Sequence, residues 1–269
     1  MIREQLFVLR LVLVLLVLVG NPWHASAEQN DGQSATSRLT KAYGSLVRDK
    51  DYKSAFEGFS DLANEGCSWA QIYLAQMYLE AQGVQEDASR AKEWFARAAQ
   101  QDNMFAQHAL AIMLMTGTGG PQDYASGHRW MLKAADAGLM DAQIGVALDF
   151  MKGLGTEKNL AEAARWLKRA ADQGLADAQL FLGLAYLNGD GVPQNYAVSH
   201  MWLNLAAANL RDDDNRKLAI YSRNMAERKM SRADVSAAQQ RAREWKPKPE
   251  LVANSLKTFI IAFMMATEC

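Results

Sequence analysis

The 269 residues carry 29 basic and 30 acidic side chains, 49% apolar residues, five prolines and two cysteines. A balance so close to neutral removes any general pull toward nucleic acid, and two cysteines exclude a disulfide framework. Abundant alanine, scarce proline and the lack of β-branched runs beyond the first twenty positions predict an all-helical protein.

In chain order, Arg3 and Arg10 come first, then the apolar run Leu11 to Val19, then Gly20, Asn21 and Pro22, then Ala25-Ser26-Ala27. This order predicts a secretory signal peptide over residues 1–27, cleaved after Ala27. The run is shorter than the ~20 residues of a membrane span, which disfavours an uncleaved anchor. No cysteine follows to take a lipid. Loss of Arg3, Glu4 and Arg10 leaves 27 basic and 29 acidic residues on an exported, periplasmic or secreted chain. Residues 28–37 are expected to form a flexible linker and 38–66 a partial repeat.

From there the sequence repeats itself. Ala-Gln pairs begin at Ala70, Ala106, Ala142 and Ala178, each 36 residues after the last. Trp94, Trp130, Trp166 and Trp202 keep the same step, as do Gly83, Gly119, Gly155 and Gly191 and the Ala-Ala pairs at Ala98, Ala134, Ala170 and Ala206. Asp51, Asp87, Asp123, Asn159 and Asn195 extend the pattern one unit upstream. The Asp/Asn column precedes helical stretches and is expected to cap them. Gly66, Gly138 and Gly174 suit the left-handed residue that ends a helix, with Asp102-Asn103 standing there in the second unit. Ala70, Leu74, Ala75 and Tyr78 and their counterparts fall on one helical stripe that packs on a second helix carrying Trp and Ala-Ala. Each unit is therefore a helix-turn-helix, and residues 67–210 hold four of them, stacked as an all-α solenoid. Residues 211–246 are expected to form capping helices, with Ser231 opening the last, and 247–269 a proline-containing linker and an apolar tail. Thr258 to Ala266 is too short to span a bilayer. The tail is read as a cap on exposed apolar surface, with the groove and the membrane surface as alternatives.

The stretch AQLFLGLAYLNGDGVPQNYAVSHMWLNLAAANL resembles the Sel1-like repeat family, relatives of the tetratricopeptide repeat, over roughly Lys41 to Leu210. Local departures are Ala81 for a loop glycine and Gly120 where the family prefers valine. The resemblance implies a right-handed α-solenoid that binds proteins. Its exported bacterial members imply a regulatory or assembly role, such as holding the outer part of a sensor kinase or an envelope protein.

Catalytic chemistry is not indicated. The glycines of GTGG recur in every unit, no strand precedes them and no P-loop lysine follows. His128 and His200 lie two units apart, too far to share a metal at ~2 Å bonds, and read as surface positions. No cofactor, metal or catalytic residue is expected. Partner binding is expected on the first helices, at Trp69, Ile72, Tyr73, Gln76, Phe105, His108, Ile112, Asp141, Ile144, Asp177 and Phe181, part of which must also serve as core. Met77, Met104, Met113 and Met115 are expected to make this groove adaptable. The chain is thus expected to be a monomeric scaffold for a protein or peptide, without nucleic acid and without a membrane anchor after cleavage. The alternatives are a hydrolase, as implied by β-lactamase-like cysteine-rich relatives, and a secreted factor acting on host proteins. A Cys67–Cys269 disulfide is permitted in an oxidising compartment but not implied.

Overall fold

The computed structural model describes residues 34–248. The expected signal peptide, residues 28–33 of the expected linker, and the tail from residue 249 onward with Cys269 lie outside the described residues. Helix α1 (Ala35–Gly44) opens on Ser34, whose side chain accepts from the Ser37 amide, so the last positions of the expected linker are helical. A π-helical turn at Ser45–Asp49 leads to α2 (Tyr52–Asn64).

Four helix pairs follow. They are α3 (Ser68–Glu80) with α4 (Ala88–Gln100), α5 (Met104–Thr116) with α6 (Tyr124–Asp136), α7 (Met140–Lys152) with α8 (Leu160–Asp172), and α9 (Ala176–Asn188) with α10 (Tyr196–Asn209). Helices α11 (Asp213–Glu227) and α12 (Arg232–Glu244) close the far end, α12 lying back on α10 where Trp245 meets Trp202 edge-on at 5.9 Å. Among the described residues there is no strand. Each helix packs chiefly on its neighbours in sequence, so the array is a solenoid with a local core at every step.

The repeated columns have physical jobs. Asp51, Asp87, Asp123, Asn159 and Asn195 each accept from the amide three residues on, at 2.9 to 3.1 Å, and so start the second helix of their unit. Gly66, Gly138 and Gly174 adopt φ of 94 to 101°, and Asp102 takes φ 57° in the unit without glycine, leaving Asn103 to cap α5. Gln71, Gln107, Gln143 and Gln179 are buried, and each donates to the carbonyl of an alanine eight residues earlier. Each of those carbonyls also accepts from the amide three residues on, so the tie gives the buried glutamine amide its partner, a group whose burial without one would cost about 1–3 kcal/mol.

The loop glycines do more than turn the chain. Gly83, Gly119, Gly155 and Gly191 have φ of 70 to 73°, and a Cβ on any of them would overlap the backbone carbonyl of Tyr52, Ala88, Tyr124 or Leu160. Those acceptors open the second helix of the preceding unit. The glycine column is thus a joint between repeats, where backbone meets backbone.

Candidate functional site: the first-helix face

Trp69, Phe105, Asp141 and Asp177 each stand at the second position of a first helix, just beyond the turn. The Trp69 and Phe105 rings lie 5.6 Å apart at 43°, so consecutive repeats bring this column together. Asp177 senses the charge of Asp141 as well. Desolvation raises the Asp177 carboxyl, and the charges of Asp141 and Asp212 raise it further, against a 3.4 Å hydrogen bond donated by Asn215. A helix N-terminus ordinarily favours a carboxylate, yet here desolvation prevails. Asp141 is also raised by desolvation, although the residue as a whole remains exposed.

One turn further along, His108 is half-buried and desolvation pushes its imidazole down to about 4, so it is neutral at physiological pH. Gln76, Ile112, Ile144 and Phe181 also keep partial exposure. Ile72 and Tyr73 do not: both are core. Tyr73 stacks on Phe59 at 4.9 Å and packs against Tyr43 at 5.6 Å. Met77, Met104 and Met113 are likewise buried, which leaves Met115 as the one of the four expected methionines with solvent access.

The histidines correct a further expectation. His128 and His200 are buried, not on the surface. His128 Nδ1 and Asp149 Oδ2 are 2.9 Å apart, and the ring meets Phe150 edge-on at 5.2 Å. Burial raises the Asp149 carboxyl, and the histidine opposes that. Asp149 stands where neighbouring units have Met113 and Ala185, and a carboxylate in an apolar column was the sequence signal for a buried partner. His200 lies 3.6 Å from Glu227 at the capping helix, and burial depresses its imidazole. Each pair bridges two helices. Among the described residues no group of three His, Cys, Asp or Glu is placed to hold a metal. A shallow recess lined by Tyr78, Val84, Glu86, Asp87 and Arg90 belongs to the loop edge of the first unit. Cys67, at the turn that opens α3, is buried and disulfide-bonded.

A stack of two-helix units with caps, glycine joints and glutamine ties at a fixed step is an α-solenoid repeat protein with an open first-helix face. The chain belongs to the Sel1 repeat family, which matches residues 70–103, 105–139, 141–175 and 176–209. Proteins of this family are generally protein-interaction scaffolds. The fold is similar to that of a protective antigen present in uropathogenic Escherichia coli strains, at 29% identity and a TM-score of 0.68 over 86% of this chain and 49% of the other. The chain therefore spans about half the length of that relative. It is also similar to a Sel1 repeat protein from Oxalobacter formigenes, at 27% identity and a TM-score of 0.65 over 79% of this chain and 88% of the other. No curated protein matches the sequence. Among the described residues no helix is long and apolar enough to cross a membrane.

Proposed function

We propose that the protein is an exported adaptor that holds a protein or peptide segment on its first-helix face. The observation that carries this reading is the row formed by Trp69, Phe105, Asp141 and Asp177. Paired aromatic rings at one end supply rigid apolar contact area, and two desolvated carboxylates at the other favour a basic group. The bound segment is extended or helical, with apolar anchors toward Trp69 and a lysine or arginine toward Asp141 and Asp177. Export follows from the leader at residues 1–27, and a mature amino terminus at Glu28, read by intact mass, tests it. A periplasmic regulatory or envelope-assembly role follows from that location.

Crosslinked pull-down from periplasmic extract tests the face itself, with a Trp69→Ala/Phe105→Ala variant as comparison. Tyr73 is left intact because it is core. The variant is expected to lose the retained partner while keeping its helical circular dichroism. A folded variant that retains every partner overturns the reading. A host-facing secreted role is the second reading, favoured by the likeness to a protective antigen. Recovery of the protein from culture medium rather than periplasm separates the two.

A further inference from the structure

We propose that two copies of this chain pair through α11, antiparallel about Tyr221, so that in place of the monomer expected from the sequence the protein associates into a weak two-fold dimer. The pairing does not depend on what the first-helix row binds.

A solenoid must end on a face that water can cover, and its terminal helices ordinarily turn a polar side outward. Helix α12 does so: its exposed positions hold nothing apolar larger than alanine. Helix α11 does not. Seven large apolar residues are exposed among the described residues, and four of them, Leu218, Ile220, Tyr221 and Met225, stand on this one helix of 15 residues. Leu218 is 42%, Tyr221 64% and Met225 42% exposed. In each of the four units the first helix packs against a second helix of its own. Helix α11 follows α10 as another first helix would, yet α12 lies back on α10, and α11 packs on α10 and α9. Its outer side therefore has no covering helix among the described residues.

The order of residues on that side fits one occupant. Asp214, Leu218, Tyr221, Met225 and Arg228 follow one another at steps of four, three, four and three. This is the spacing of a coiled-coil seam, and at about 100° per residue all five fall within an arc of about 80°. The buried Ala219, Ser222 and Ala226 form the opposing stripe that faces the array. Antiparallel pairing centred on Tyr221 sets Leu218 of each copy against Met225 of the other and Asp214 against Arg228, while the two Tyr221 rings meet at the two-fold axis. Parallel pairing would set Asp214 on Asp214 and Arg228 on Arg228. The stripe is thus complementary to itself in one direction only, which singles out a second copy as its occupant. The Asp214 side chain is 94% exposed, and its 3.5 Å pair with Lys217 is a surface pair of the kind that contributes little.

The contact is small. The 15 residues of α11 measure about 22 Å, and one helix pair of that length stays under the ~1,200 Å² at which stable interfaces begin. A dissociation constant on the order of tens of micromolar is expected. Where copies are concentrated, pairing joins two first-helix faces in one particle, so a partner with two sites is held by both.

Sedimentation velocity of the full exported chain, over concentrations about tenfold on either side of that constant, tests the pairing. The weight-average mass is expected to rise from that of one copy toward that of two. Tyr221→Glu sets two like charges on the axis and is expected to weaken association by about tenfold or more, with unchanged helical circular dichroism. Asp214→Arg and Arg228→Asp are each expected to weaken it about threefold, and the two changes together to restore it. A constant mass overturns the pairing, whether the stripe then takes a different protein or a lipid surface. Association that Tyr221→Glu leaves unchanged overturns the assignment to α11, and a charge exchange that fails to restore it overturns the antiparallel order. No binding partner enters any arm, so failure here and failure of the first-helix reading are told apart.

Discussion

The two edges of the array follow different rules. On the edge where a first helix turns into a second, every unit has a glycine against the preceding repeat's backbone and an Asp or Asn cap. On the opposite edge, α3, α7 and α9 start without a side-chain cap, and the residue two positions on changes from Trp69 to Phe105 to Asp141 to Asp177. The first edge joins repeats to one another and must recur. The second edge faces outward, and there the four units differ.

Substitutions should break this contrast with graded force. Gly155→Ala places a methyl on the Tyr124 carbonyl at a left-handed φ, and is expected to cost about 2–4 kcal/mol. Gly153→Ala is its control. It has the same φ of 73° within a few degrees but no atom nearer than 3.6 Å, and is expected to cost about 1–2 kcal/mol. Urea unfolding of the pair measures the joint apart from the turn, and equal midpoints would remove the joint from the account. Asp123→Ala, on the same edge, loses one cap and is expected to lower the urea midpoint by less than either glycine substitution.

The outward edge should respond to pH instead, and with opposite signs in its two parts. His108 is held near 4 in the fold against 6.5 when unfolded, so the unfolded chain takes up the proton first. Stability present above about pH 6.5 is therefore lost as pH falls toward 4. His108→Gln is expected to flatten that limb of a thermal-melting profile. Asp141 and Asp177 are raised above 3.8, so the folded chain keeps their protons longer, and their contribution is present at low pH and lost as pH rises through the raised values. Asp141→Asn/Asp177→Asn is expected to raise the melting temperature by a few degrees near neutrality, with the gain vanishing in acid. A variant less stable at pH 7 than the wild type would show that hydrogen bonding, not desolvation, governs the pair.

The helix pairs, their caps and their terminal glycines were legible in the sequence because each depends on neighbours a few residues away. Asp123 caps α6 by reaching the Ser126 amide, and nothing distant is needed to foresee it. The row of Trp69, Phe105, Asp141 and Asp177 was legible too, since a fixed step turns sequence positions into a spatial column. What the step cannot reveal is where one unit departs from its copies. Tyr73 is core because the Phe59 and Tyr43 rings pack against it, and both come from helices ahead of the first full unit. His128 is buried because Asp149, alone in its column, meets it. The role of Gly155 was half-read: a turn was foreseen, while contact with Tyr124 needed the neighbouring repeat in place.

That contact addresses a carbonyl and ignores the side chain beside it, for Tyr52, Ala88, Tyr124 and Leu160 all serve. A newly copied unit therefore finds an acceptable seat on whichever unit precedes it, without matched side chains having to arise on both. Array length becomes a quantity that duplication and deletion can change in whole steps, and each added step lengthens the outward row by one residue that is free to differ from the rest.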